Sequence, residues 1–421
     1  MQLKRKKTIA DALAIATCTL LAQTAENAYA IDEDIDLDLS FLEYHENSRV
    51  RVREMDVGAK WIYNEDNIFS GKLVTDAITG STPSGALTPP SKTATLTSPS
   101  GVSGASGTGG SSGLQIRPLE GFVDRRVALA ANWLHTYNRV YRTNLGGIFS
   151  NEDDYQSYGG SATVAYDLNQ KLTTLEAGLG YSYDFVGSVV GVHKELGNLA
   201  DDKPDDYNDG EKQVIDWGLS ATQILSRRAV VKVGYSSGSV QGYLSDPYKV
   251  ITLKHKIDPS KFTYFHEKRP MSRSRSSINI DFNQERENND VVNVYYRYYW
   301  DSWRINSHTI DARYRYELGN TRYLQPHVRI YRQSAASFFY PYLDPNQGQD
   351  PEGETPPAYA SADNRLDAMT SYTVGIKYGL SGSLGKFFAR FEMMRQIGSQ
   401  GDYRNLTAQI LQFVWTLDFN K

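Results

Sequence analysis

The strongest constraint on this chain is a strict two-residue alternation, carried over segments of about 10–13 residues. From Thr309 to Leu318 the sequence reads T-I-D-A-R-Y-R-Y-E-L. Ile310, Ala312, Tyr314, Tyr316 and Leu318 share one face; Thr309, Asp311, Arg313, Arg315 and Glu317 share the other. Leu172 to Phe185 splits the same way, with Leu175, Ala177, Leu179, Tyr181, Tyr183 and Phe185 opposed to Thr174, Glu176, Gly178, Gly180, Ser182 and Asp184. Val292, Val294, Tyr296, Tyr298 and Trp300 alternate with Asn293, Tyr295, Arg297, Tyr299 and Asp301, and Ile215, Trp217, Leu219 and Ala221 with Asp216, Gly218 and Ser220. Apolar residues on one face and ionisable ones on the other describe a strand between lipid and a wet interior. A soluble sandwich also alternates, but its strands are shorter, about 5–6 residues.

Such segments fall near residues 35–45, 49–63, 67–78, 124–136, 139–150, 155–167, 172–185, 212–225, 229–238, 271–284, 290–301, 307–318, 322–333, 368–380, 385–395 and 405–419. The expected fold is all-β: a transmembrane, antiparallel, up-and-down β-barrel of about 16 strands, in the range of about 14–18. The connections sort into two kinds. Asn64-Glu65-Asp66, Thr136-Tyr137-Asn138, Asn169-Gln170, Ser226-Arg227-Arg228, Gln284 to Asp290, Gly319-Asn320 and Ser381 to Gly385 are turns; 79–123, 186–211, 239–270 and 334–367 are long. With both termini in the periplasm, all four long connections emerge outside and every turn lies inside, the asymmetry of outer-membrane barrels.

The N-terminus predicts export. Lys4, Arg5, Lys6 and Lys7 precede the apolar run from Ala12 to Ala22, and Ala28-Tyr29-Ala30 offers a small-x-small cleavage site. The run is shorter than the roughly 20 residues a membrane helix needs. Residues 1–30 are therefore expected to be a signal peptide, and 31–421 the barrel. A lipoprotein signal centred on Cys18 is the alternative, disfavoured by the bulky Thr17 before it. Cys18 is the only cysteine, so a mature chain starting at Ile31 forms no disulfide and no thiolate site. Cleavage removes four basic residues and two acidic ones (Asp11, Glu26), leaving the chain more acidic than the −4 of the whole sequence. That balance argues against nucleic-acid binding. Residues 79–117 are rich in Gly, Ser, Thr and Pro and are expected to form a disordered extracellular loop. Glu195, Asp201, Asp202, Asp205, Asp206, Asp209 and Glu211 crowd another loop, but Tyr207 breaks a calcium-loop spacing, so a solvated acidic loop is expected.

Several stretches carry a family resemblance: Lys72 to Ala86 (KLVTDAITGSTPSGA), Ser150 to Tyr158 (SNEDDYQSY), Asn169 to Thr174 (NQKLTT), Gly242 to Lys249 (GYLSDPYK), Arg297 to Thr309 (RYYWDSWRINSHT) and Gln325 to Ser337 (QPHVRIYRQSAAS). Through them the chain resembles a bacterial family of outer-membrane β-barrels that carries a domain-of-unknown-function label. The resemblance implies genes nearby for a periplasmic flavin transferase, a thioredoxin-like protein and a small lipoprotein, and hence a role in exported redox or metal handling. Periplasmic redox proteins are the partners it implies. The barrel architecture itself implies outer-membrane lipid and the barrel-assembly machinery, the latter reading an aromatic C-terminal strand such as Phe413, Trp415, Leu417 and Phe419.

The candidate lining is the inward set Arg297, Asp301, Asp311, Arg313, Arg315, Glu317, His327 and Arg329. Such charges either brace the wall as pairs or set ion selectivity. Gly242, Tyr243, Asp246, Pro247 and Tyr248 form a candidate loop folded into the lumen, or an ordered surface turn. His45, His135, His193, His255, His266, His308 and His327 form no close ligand pair, so no metal site is expected. Ser307 and His308 are adjacent on one strand and point to opposite faces, which excludes them as a catalytic couple. No phosphate loop or dinucleotide fingerprint is present. No cofactor is expected, and the chain reads as a non-enzyme: a conduit for a small polar or charged solute, or else a non-conducting scaffold for periplasmic redox partners.

Overall fold

The computed structural model describes residues 34–418, apart from positions 48, 83–86, 89–114, 117–119, 153, 188–191, 193, 200–209, 257, 259–260, 345–355, 384 and 400–404. The expected signal peptide, most of the 79–117 loop, Asp201 to Asp209 and Phe419 lie outside the described residues.

Among the described residues there are twenty strands. The first eleven are β1 (Asp34–Glu46), β2 (Val50–Asn64), β3 (Asn67–Thr82), β4 (Leu87–Thr88), β5 (Gln115–Ile116), β6 (Glu120–Tyr137), β7 (Tyr141–Asn151), β8 (Tyr155–Leu168), β9 (Thr173–Val186), β10 (Gly210–Ser226) and β11 (Ala229–Gly242). The remainder are β12 (Val250–Lys254), β13 (Phe262–His266), β14 (Ser272–Glu285), β15 (Val291–Asp301), β16 (Asn306–Glu317), β17 (Arg322–Gln333), β18 (Met369–Gly382), β19 (Gly385–Gly398) and β20 (Leu406–Asp418). Sixteen of them close into one antiparallel barrel, each paired with its neighbours in chain order and β1 with β20. Two small hairpins, β4–β5 and β12–β13, stand outside the ring. Closure satisfies every edge, which a sheet in hydrocarbon requires.

Each predicted segment is a barrel strand, and the ends differ by a few residues. The strand predicted to stop at residue 238 runs on to Gly242, and that predicted to start at 124 begins at Glu120. The largest departure is the connection expected at 239–270. It contains the β12–β13 pair, registered Val250 with His266 through Lys254 with Phe262.

The barrel is inside out. Apolar side chains point outward and stay exposed, as with Leu129 (54%), Leu179 (58%) and Leu219 (54%), while Asp184 (0%) and Asp311 (1%) face inward and are buried. Two bands of rings flank the apolar zone. Near the termini, Trp61, Phe69, Trp133, His135, Tyr137, Tyr141 and Tyr166 run in sequence with centroids 4.2–6.4 Å apart. At the other rim, Phe149, Tyr158 and Phe185 stand 5.1 and 6.4 Å apart. On β7, Tyr141 and Phe149 are separated by about 27 Å of strand. At a tilt near 40° that is about 21 Å of depth, close to the apolar band of such barrels.

The turns at the end holding both termini are tight. Asn138, Arg139, Asn169, Gln170 and Lys171 take positive φ there. All four long connections leave from the opposite end.

Candidate functional site

Register places every candidate lining residue on the inner wall. Tyr295 pairs with Asp311, Arg297 with Thr309, Asp311 with Arg329 and Arg313 with His327. Asp311 gathers three partners: His327 Nε2 at 2.8 Å, Arg329 Nε at 2.8 Å and Arg313 Nε at 3.2 Å. The other ring nitrogen of His327 lies 2.8 Å from Glu392, which also meets Arg390 at 3.5 Å. A carboxylate only accepts, so this bridge holds a proton on both ring nitrogens or on one carboxyl. Arg315 pairs with Glu317 at 2.6 Å. Asp301 accepts from Arg273 Nη2 at 2.5 Å, from the Tyr299 hydroxyl and from the Ile305 amide, tying strand to rim. Arg297 has no carboxylate partner among the described residues; its guanidinium lies over the Tyr299 ring at 5.4 Å.

The same alternation brings further charges inward that the sequence reading did not single out. On β2, β3 and β6, Glu54, Asp56 and Asp76 are met by Lys72 (3.0 Å from Asp56) and Arg126 (2.6 Å from Asp76). Arg142 clamps Asp167 through both oxygens, and Arg275 reaches Asp216 at 2.7 Å. Arg273, Arg275, Lys377 and Arg390 join the named arginines on β14–β19. The signal was available: Val374, Ile376 and Tyr378 alternate with Thr373, Gly375 and Lys377, and Phe391 and Met393 with Arg390 and Glu392. Around the ring the signs separate. Carboxylates outnumber cations on the inner face of β1–β10, through Asp36, Asp38, Glu54, Asp56, Asp76, Asp124, Asp167, Glu176, Asp184 and Asp216. Cations outnumber carboxylates on β14–β19. In a ring of sixteen, β2–β6 stand opposite β14–β16.

The described parts of the connections after β11 and β17 fold together over the mouth. Gly242 takes φ +119° at the end of β11, and the Tyr243 amide donates to the Glu211 carbonyl at 2.8 Å. Asp246 is buried; its carboxylate accepts from the Tyr248 amide at 3.0 Å and from Arg365 at 2.9 Å. Pro247 is buried beside it, and the Tyr248 hydroxyl donates to Asp154 at 2.9 Å. The segment Gly242, Tyr243, Asp246, Pro247 and Tyr248 is thus part of a packed cap. Glu267 anchors that cap: it accepts from the Asp246 amide at 2.6 Å, bonds Ser361 Oγ and meets Arg269 at 2.6 Å. Arg269 also reaches Asp363 at 2.8 Å, and Asp363 binds Arg365 at 2.5 Å.

Burial raises the Glu267 carboxyl above its ordinary range, with Arg269 the main opposing influence. For Asp363 burial also pushes upward, but Arg365 and Arg269 outweigh it and hold that carboxyl well below the usual range. Burial, reinforced by Glu267 and Asp246, pushes the Tyr243 hydroxyl up.

Two apolar clusters fill the cap. Ile251, Leu253, Phe265, Leu343, Ala360 and Ala362 form one. Trp303, Ile305, Ala336, Phe338 and Leu366 form the other, against Leu244 and the inward-facing Tyr299. Asp154 lies between β7 and β8, and Arg365 between β17 and β18, eight strands away round the ring. The chain of contacts from Asp154 through Tyr248 and Asp246 to Arg365 therefore links opposite sides of the mouth. At the same rim, Asp124, Glu152 and Asp154 bring carboxylate oxygens within 4.8 Å of one another.

The family described as Protein of unknown function (DUF3570) matches residues 10–411. No curated protein matches the chain. Among solved structures, the chain is similar to the outer membrane protein opdK of Pseudomonas aeruginosa, with 8% identity, TM-score 0.40, and coverage of 93% of this chain and 100% of that one. It is similar to OccK2 (OpdF) of Pseudomonas aeruginosa in complex with glucuronate, at 7% identity and TM-score 0.41, covering 93% and 100%. It is also similar to a mutant of the ferric enterobactin receptor PfeA of Pseudomonas aeruginosa in complex with enterobactin, at 10% identity and TM-score 0.43. That match covers 89% of this chain and 58% of the receptor.

Proposed function

Since the chain belongs to the Protein of unknown function (DUF3570) family, we propose a role drawn from its own wall: an outer-membrane conduit for a small polar or charged solute. The observation that carries this reading is the separation of inward charge, acidic on β1–β10 and basic on β14–β19. A ring of sixteen strands leaves a lumen wide enough for water and small solutes. Opposed charges across it create a transverse field that orients dipolar or anionic solutes. The outward apolar zone and its two aromatic bands support membrane insertion, after export through residues 1–30 and handling by the barrel-assembly machinery.

The test is the reversal potential of refolded protein under a salt gradient. Arg313→Ala with Arg315→Ala is expected to move it toward the cation-selective side. An unchanged potential and conductance would leave these arginines as bracing of the wall alone.

The cap favours a second reading. Contacts that link opposite sides of the mouth suit a non-conducting scaffold, on which periplasmic redox partners assemble at the end holding the termini. That version gives no steady current and retains its partners in pull-downs from the periplasm.

A further inference from the structure

Several inward charges are matched directly across a strand pair. Asp36 stands opposite Lys60, Asp184 opposite Lys212, Lys232 opposite Asp281 and Asp311 opposite Arg329. Lys377 on β18 breaks the pattern, because it stands opposite Arg390 on β19. Like charges directly opposite destabilise a sheet. Where two carboxylates meet in this way, Glu54 opposite Asp76, Arg126 reaches both, at 3.9 and 2.6 Å. The Lys377–Arg390 pair has no shared counter-ion among the described residues.

The surroundings sharpen the imbalance. On its other side Lys377 pairs in register with Gln325 of β17. Arg315, between the Arg313–His327 and Glu317–Tyr323 pairs, falls level with Gln325. One rung thus carries Arg315, Gln325, Lys377 and Arg390 side by side. Arg315 has Glu317, and Arg390 has Glu392, whose nearer oxygen is already engaged by His327. Among the described residues Lys377 has only ring faces, Phe388 at 3.8 Å and Tyr323 at 5.7 Å. The Arg315 guanidinium stacks on the same Tyr323 at 4.0 Å. The buried Nε of Arg390 has no hydrogen-bond acceptor among the described residues. Ammonium, guanidinium and amide donors therefore converge on one stretch of inner wall with too few acceptors.

We propose that this rung binds a small oxyanion, a carboxylate or phosphate group carried by the solute. The assignment rests on the conduit reading and gives it a substrate class. An oxyanion supplies what the rung lacks: several acceptor lone pairs and the missing negative charge. Charge-assisted bonds to guanidinium forks and an ammonium are the strong ones, and they favour oxyanions over chloride by geometry. Lys377, framed by two rings, takes the role of the central charge. Gln325 adds an uncharged donor that fixes orientation.

The experiment is direct binding to the full refolded barrel in detergent, read as phosphorus line broadening with inorganic phosphate and carbon line broadening with labelled succinate. Wild type is expected to broaden at least one probe saturably, in a way that chloride at equal ionic strength does not reverse. Lys377→Met and Arg390→Met are each expected to weaken that binding on the order of tenfold or more, and Lys377→Arg to retain it. Unboiled gel mobility identifies folded variants. No saturable broadening in wild type, or full binding in both folded methionine variants, overturns the site. Failure of the conduit reading looks different: phosphate or succinate binding persists while bilayers carry no current.

Discussion

Replacing Arg269 by methionine isolates the cap from the barrel. The Arg269 side chain is 11% exposed and meets Glu267 at 2.6 Å and Asp363 at 2.8 Å, both fully buried. Methionine keeps most of the volume and removes the charge. Breaking a buried pair costs roughly 3–5 kcal/mol, because the partner is left uncompensated. The lower end applies here, since Ser361 and the Asp246 amide still serve Glu267 and Arg365 still serves Asp363. About 3 kcal/mol is about a hundredfold in the cap-opening equilibrium. Amide exchange reads it where the loops bond each other: Leu343 to the Thr252 carbonyl at 2.7 Å, and Lys268 and Ala360 reciprocally at 2.9 and 3.0 Å. Their protection should fall about a hundredfold near neutral pH, with barrel amides unchanged. The sign with pH follows from Glu267. Its carboxyl is already raised by burial, and loss of Arg269 raises it further. The folded cap then binds a proton that the open one releases, so the cap weakens as pH rises through that window and recovers in mild acid. The deficit relative to wild type should therefore shrink at about pH 5. Protection indistinguishable from wild type, or a deficit equal at both pH values, would refute the role given to this pair.

In wild type, Asp363 gives the opposite slope: held below the ordinary carboxylate range, it stabilises the cap above its unfolded pKa and loses that contribution as pH falls. Cap amides should stay protected from neutrality down to about pH 4 and lose protection below it in exchange measurements. Asp311→Ala strips the shared acceptor from His327, Arg329 and Arg313 and should cost about 2 kcal/mol or more in urea unfolding from lipid vesicles, with Asp311→Asn costing less. Leu179→Arg places a charge on the lipid face and should cost about 2–4 kcal/mol in the same assay; a neutral effect would contradict the outward assignment of β9.

The barrel was legible because its signal is local. Alternation along a segment such as Thr309–Leu318 fixes both strand and facing at once, since a one-residue slip would turn Asp311 into lipid. The long-and-short rhythm of connections then gave direction. What the sequence left open depends on pairing between distant segments. The β12–β13 hairpin has strand-forming residues in Val250, Ile251, Phe262 and Tyr264, but its burial comes from Leu343 and Ala360, about a hundred residues downstream. Asp246 reads as a turn former and is one, yet its Arg365 partner is visible only once the loops meet. Within the lumen, alternation gave Arg313 and Arg315 their facing but not their partners, because cross-strand pairing needs the register of each hairpin. Lys377 was readable as inward by the same rule. That it faces Arg390 rather than a carboxylate became evident only from the β18–β19 register.

The central claim, a water-filled conduit through this wall, is tested most directly by planar-bilayer recording of the refolded wild-type protein in potassium chloride. Stepwise, steady current that grows with salt concentration is the expected result. Silent bilayers at every voltage, from protein whose gel mobility shows a folded barrel and with Arg269→Met equally silent, would contradict it.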